Sequence, residues 1–393
     1  MPTLPPFRPP ASLPPLTAAA LAAPAAAWHS WQAVHAVLAS QPAAAYPPPG
    51  FANLTAYHYC VHQAFGRGAA APALLTQDFR QLVGQLEHQA GLGAWPAAQL
   101  DQACVAAWLS TQLASPGAPA LAVPARLDEA LYAEAVRLHH EPDANSRHCF
   151  FRVLRYFSLR LPTTAVALPQ LQALLALQPE PPAAEQLALG LVEGLAAELL
   201  LLLKLHKAGF RQAAVVARIR AGITRLLMVR HPVDFEEGQY SVFPYQVLPT
   251  SQEAAFSAEL SWRRGDLGQS LLLYRAHELM QDEELIKIAE LVGLNTLLRT
   301  TVQATGISTS ELAQGAAGVA HLYRKLYQAS HQVAYREGYY FWLAQTHSLL
   351  HQELATGFYR QREGDLLHGL AGVGLVLLSS LAETELGWDA LVL

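Results

Sequence analysis

Ser261-Trp262-Arg263-Arg264-Gly265-Asp266-Leu267-Gly268 closes on a Gly-x-x-Gly step that opens an apolar helix, and the chain uses this arrangement again. Leu312-Ala313-Gln314-Gly315-Ala316-Ala317-Gly318 follows 50 residues on, and Leu366-Leu367-His368-Gly369-Leu370-Ala371-Gly372 a further 54. An imperfect copy, Gly190-Leu191-Val192-Glu193-Gly194, spaces its glycines four apart. Repeats of this length, one helix pair per period, indicate a stacked or closed helical array in which each unit buries its face on its neighbours. Glycine at a helix start lets another stretch of backbone come close. A ring of converging helices needs that, but a linear solenoid has the same periodicity, and the spacing alone does not choose between them.

Composition narrows the function classes. Of 393 residues, 52% are hydrophobic and 15% charged, enough to build a large core. The formal charge of -5, with no dense basic block, lacks the footprint of a nucleic-acid binder. Leu195 to Leu205 is the greasiest stretch, yet it contains Glu198 and Lys204 and falls short of the roughly 20 apolar residues of a membrane span. Cys60, Cys104 and Cys149 are odd in number and far apart, which argues against a disulfide framework and fits a reducing compartment. The first residues, Met1-Pro2-Thr3-Leu4-Pro5-Pro6, do not form a secretory signal. A cytoplasmic protein is expected.

Helical periodicity dominates the rest. Leu127, Ala130, Leu131, Ala135 and Leu138 recur at three-to-four spacing, and the long segments Ser270 to Val302 and Val319 to Leu354 contain no proline. An all-α protein follows, with Tyr240-Ser241-Val242-Phe243-Pro244 as an irregular insertion. Residues 1–50 hold 12 of the 26 prolines, so broken helices and extended links are expected there, ahead of one domain over 51–393.

The glycine motifs, with the closing Gly387-Trp388-Asp389, resemble those of the lanthionine synthetase C (LanC) family, zinc-dependent cyclases that add cysteine thiols onto dehydrated residues of a ribosomal peptide. The resemblance is strong over 187–393 and weak before. It implies an α/α toroid, an inner barrel of parallel helices inside an outer set, with the active site at the barrel mouth. In that family zinc is held by the Cys of a Trp-Cys-Tyr-Gly motif and by a Cys-His pair. Here those positions match Arg263 and Ala313-Gln314, so no zinc cofactor is expected. The family's motif arginine matches Glu259, the tyrosine after the first Cys matches Arg264, and a catalytic His matches Glu193. Asn145, in Asn145-Ser146-Arg147-His148, stands where a catalytic Asp would.

The resemblance therefore implies a retained scaffold with discarded zinc chemistry, a pseudo-cyclase that holds a precursor peptide or a lanthipeptide dehydratase. Two rivals stand beside it, an active thioether cyclase with atypical or no zinc ligation and a general helical interaction scaffold. Arg263, Arg264, Glu193 and Glu259 would converge on the cavity mouth, either as a structural ion-pair cluster that is costly to break or as a fork gripping a carboxylate or phosphate. The histidine pairs His139-His140 and His347/His351 read as surface or core residues, and Arg211, Arg218 and Arg225 as a solvated positive stripe.

Overall fold

The computed structural model describes residues 18–40, 46–66, 72–93, 95–114, 121–141, 143–164, 167–177, 187–248 and 253–393. Its helices in chain order are α1 (Ala18–Leu38), α2 (Pro48–Phe65), α3 (Ala73–Leu92), α4 (Ala97–Gln112), α5 (Ala125–His139), α6 (Ala144–Arg160), α7 (Ala167–Leu177), α8 (Leu195–Lys207) and α9 (Ala213–Met228). They continue with α10 (Asp266–Met280), α11 (Glu283–Leu297), the single turn α12 (Val302–Thr305), α13 (Ala316–Ser330), α14 (Val333–Thr356) and α15 (Leu370–Leu381).

Packing closes these helices into two concentric rings. Among the described residues α2, α4, α6, α8, α10, α13 and α15 each pack on the next, and α15 packs back on α2. Outside them α3, α5, α7, α9, α11, α14 and α1 cover the seams. The sequence marks the two roles. Every residue of α15 from Leu370 to Ser379 is buried, as is Leu195 to Leu203 in α8, because an inner helix has neighbours on all sides. In the outer helix α11 only one stripe, Leu285, Ala289, Val292, Gly293 and Thr296, is buried. The chain is thus an α/α toroid, and the closed ring replaces the linear solenoid that periodicity left open.

Proline has a specific use in the first half. Pro47, Pro72, Pro96 and Pro124 stand at the N-caps of α2 to α5, where a missing N–H costs nothing because the first helical amides have no intrahelical partner. Within residues 1–50, α1 runs helical through Pro24 and packs on α14 and α15 as an outer helix. The expected irregularity of residues 1–17 and 41–45 lies outside the described residues.

The insertion expected around Tyr240 is there, joined to a small antiparallel sheet of β1 (Leu187–Ala188), β2 (Gln246–Val247) and β3 (Ala254–Ala255). Asp266, the first residue of α10, pins it by accepting 3.0 Å hydrogen bonds from the amides of Val242 and Phe243. Arg299, fully buried, backs the same carboxylate at 3.5 Å and donates to the Ala304 carbonyl at 2.9 Å. The three cysteines are free and buried. No helix among the described residues is long and apolar enough to cross a membrane.

The second glycine of each Gly-x-x-Gly step is dictated by close approach. A Cβ on Gly318 would sit 1.8 Å from the Leu312 carbonyl oxygen, and one on Gly372 would sit 1.9 Å from that of Leu366. Neither contact can be relieved by a side-chain rotation, since the obstacle is backbone. Gly318→Ala is expected to cost about 3 kcal/mol or more, the upper end of what overpacking a core exacts, read as a lowered urea midpoint at unchanged slope. An Ala variant at the open, exposed position Gly84 inside α3, with nothing within 4 Å, should instead stabilise by up to about 1 kcal/mol, since alanine is the better helix former.

Candidate functional site

All the inner helices begin at one end of the barrel. Four begin after glycine-bearing turns, and the turns are stitched together by main chain. The Leu191 amide donates to the Trp262 carbonyl at 3.1 Å, Arg263 to Ala313 at 3.3 Å, and Ala313 to Leu367 at 2.9 Å. Gly190 permits the tightest crossing, because a Cβ there would lie 1.6 Å from the Arg263 carbonyl oxygen. Positions far apart in sequence, Arg263 and Ala313 among them, are thereby made neighbours.

Trp262 anchors the ring from below. Its indole stacks on His321 at 5.7 Å, and His321 lies 4.8 Å from Trp388 in the closing Gly387-Trp388-Asp389. Asp389 takes His321 Nε2 at 3.3 Å and pairs with Lys325. Burial alone would raise the Asp389 carboxyl, but His321 and Lys325 hold it well below the usual carboxylate range. The segment after Trp388 consequently runs inside the barrel, where Leu391 and Val392 floor a cavity of 180 Å³.

That cavity lies under the glycine turns. The turns contribute Leu191, Val192, Trp262, Leu367 and His368 to its wall. One face of α6 supplies its chemistry, since His148, Phe151, Arg152 and Arg155 fall at i, i+3, i+4 and i+7. Arg152 is matched by Asp101 at 2.7 Å. Arg155 has no carboxylate within ion-pairing distance among the described residues. It donates only to the Leu391 and Val392 carbonyls, at 3.2 and 3.3 Å, and its buried Nε has no partner. His148 Nε2 and Trp262 Nε1, also buried, lack partners as well. A volume of 180 Å³ slightly exceeds an apolar cavity of about 150 Å³ that binds benzene, so it admits one side-chain-sized group.

The seven residues singled out from sequence lie in and around this ring, and none of them lines the cavity. Arg263 donates through Nε to Glu193 at 2.9 Å, and Arg264 reaches Glu259 at 3.5 Å while its guanidinium lies 4.8 Å from the Tyr245 ring centre. Ser261 donates to the same Glu259. Ala313 is buried and Gln314 half-buried in the third turn, and Asn145 is exposed in the first turn of α6. Of the two arrangements the sequence left open, the structure holds ion pairs, each arginine lying on a carboxylate of its own. The Arg263 pair is not costly to break. Arg263 and Glu193 side chains are 33% and 43% exposed, and water screens such pairs to about 0–1 kcal/mol. Arg147 with Glu198, at 3% and 9%, is a buried pair nearby.

Zinc does not fit these residues. Arg263, Ala313 and Gln314 offer no thiolate, imidazole or carboxylate, the donors zinc needs. Among the described residues no three His, Cys, Asp or Glu are grouped to hold a metal. His139 and His140 meet edge to face at 5.1 Å, and His347 is bound to Ser30.

Residues 185–393 match the family of lanthionine synthetase C-like proteins. The chain belongs to that family. A solved structure, nisin cyclase, superposes with a TM-score of 0.60 over 88% of this chain and 90% of its own, at 13% identity. At such identity the likeness speaks for the fold, and it extends the LanC-like toroid into the half that the family match leaves out. No curated protein matches in sequence. Sequence reading missed Arg155 and the α6 face as a set. Their signal was cations at core spacing in an otherwise aromatic helix.

Two predictions follow from this electrostatic layout. Glu193→Gln should shift unfolding free energy by less than about 1 kcal/mol, whereas Arg147→Met, which strands a buried Glu198, should cost about 3–5 kcal/mol. Denaturant titration of the two variants checks the contrast. The cavity histidines should also titrate in opposite directions. Burial, with Arg152, Arg155 and Arg263 nearby, pulls His148 down to about 3, while Glu311 raises His368. His148 thus favours folding fully above its unfolded value near 6.5, and that contribution is lost as pH falls toward 3. His368 contributes below 6.5 and loses its contribution as pH rises through its raised value. Imidazole NMR between pH 4 and 9 should find His148 neutral at pH 5 and His368 charged.

Proposed function

We propose that this LanC-like protein works in ribosomal-peptide modification as a zinc-free scaffold, binding a precursor peptide at the barrel mouth and admitting one of its side chains to the cavity beside Arg155. The supporting observation is the joined pair Arg263 and Ala313. The main chain brings these ligand positions together, yet neither carries a donor for zinc. The unsatisfied donors of Arg155 and Trp262 beneath them suit an acceptor-rich guest, a carboxylate or an amide oxygen, and the unpartnered His148 Nε2 lies beside them. This reading places the chain in the cytoplasm.

The frame should still accept metal once donors are returned. Untagged wild-type protein is expected to hold far less than one zinc per chain by elemental analysis. The triple variant Arg263→Cys, Ala313→Cys, Gln314→His should bind about one, as a complete tetrahedral site does. Stoichiometric zinc in the wild type would instead favour an active cyclase with unusual ligation. Peptide binding is read separately. A labelled precursor peptide copurifying from the same biosynthetic cluster should lose at least tenfold in affinity with Arg155→Gln, and an unchanged affinity would remove the cavity from the binding reaction.

A further inference from the structure

At the other end of the barrel, where the inner helices finish, lies a second and larger cavity of 550 Å³. The chain segment beyond Trp388 separates it from the first, since Leu391 and Val392 face the mouth cavity while Asp389, Ala390 and Leu393 line this one. Its wall is apolar where α8 and α10 meet, at Leu200, Leu203, Leu271 and Leu279. Five formal cations surround that wall, Lys204, Lys207, Arg211, Arg275 and Lys325, in a protein whose net charge is -5.

The carboxylates in the lining are already engaged. Glu278 takes Lys207 at 2.7 Å and Arg275 at 2.9 Å, and Asp389 is held by Lys325 and His321. The five cations outnumber these two carboxylates. Lys204 and Arg211 have no ion-pair partner among the described residues. Arg211 sits just before α9, so it is not part of a stripe along that helix, and it faces this cavity instead. His206 also leaves Nδ1 buried and unpartnered.

We infer that this cavity is a binding site for a small organic anion, one whose oxyanion head pairs with Lys204 and Arg211 while its apolar body lies on Leu200, Leu203, Leu271 and Leu279. A volume of 550 Å³ falls in the range of about 300–1,000 Å³ typical of small-molecule sites, which are mostly apolar with a few placed polar groups. Guanidinium and ammonium together recognise a carboxylate or a phosphate monoester equally well, so the head group is read by experiment. The site is independent of the mouth cavity and of the peptide-binding reading.

Calorimetry with decanoate, hexyl phosphate, inorganic phosphate and decanol as probes tests it on the full chain. Decanoate or hexyl phosphate should bind at one saturable site, the tighter of the two naming the head group, with inorganic phosphate and decanol each at least tenfold weaker. Lys204→Met with Arg211→Met, both at exposed positions, should weaken the better probe at least tenfold. Glu278→Gln, which releases Lys207 and Arg275, should strengthen it. Arg263→Ala, in the glycine turns at the far end, should leave it unchanged. Decanol binding as tightly as decanoate, inorganic phosphate binding as tightly as hexyl phosphate, or affinity indifferent to the Lys204 and Arg211 changes would each overturn the assignment.

Discussion

Main-chain hydrogen bonding between the turns that start the inner helices is the constraint on which the rest of this toroid depends. Leu191 reaches Trp262, Arg263 reaches Ala313, and Ala313 reaches Leu367, all through backbone groups. Such bonds are indifferent to the side chains they join, provided glycine keeps the crossings clear. That separates two kinds of requirement in one short motif. The glycines are held by geometry and the tryptophan by its stack on His321, while the intervening positions answer only to chemistry. A LanC-like frame can therefore keep its shape with arginine, alanine and glutamine between its glycines.

Charge at the mouth is arranged by depth. On the outside Arg263 and Arg264 meet Glu193 and Glu259, where solvent makes such pairing cheap to form and cheap to lose. One layer in, Arg147 and Glu198 are shut away from water and each becomes indispensable to the other. Deeper along α6, at the cavity floor, Arg155 donates only to two carbonyl oxygens. A guanidinium in that position is the group in the lining with most to gain from an incoming acceptor, which is why the functional reading rests on it rather than on the arginines of the motif.

Much of the architecture was legible in the sequence. The Gly-x-x-Gly register located four of the inner helix starts, and the family resemblance selected a ring over a linear stack. What stayed hidden shares a physical cause, namely that it depends on contacts between distant segments. The α6 face with His148, Arg152 and Arg155 lies in the half with little motif signal, and only closure of the ring turns that face inward. Arg263, Arg264, Glu193 and Glu259 were legible as neighbours at the mouth, but which arginine meets which carboxylate, and how exposed each pair is, depends on side-chain placement that only the folded turns set. The prolines of residues 1–50 suggested broken helices, yet α1 runs continuous through Pro24, where tertiary packing on α14 and α15 overrides local propensity.

The closure of the ring also sets an order of events. Its seam joins α1 and α2 to α14 and α15, and Ser30 hydrogen-bonds His347 across 317 positions of sequence. The entropy of closing so long a loop rises only slowly with length, but the contact cannot begin to form until the last helices exist. During synthesis α1 and α2 must therefore stand with an open apolar flank while most of the chain is still being made. Trp31, Val34 and Tyr57, fully covered in the finished barrel, are exposed to whatever is nearby throughout that interval. A second nascent chain offering its own α15 could fill the gap as well as the proper one, so exchange of end helices between neighbours is the characteristic misassembly of this design.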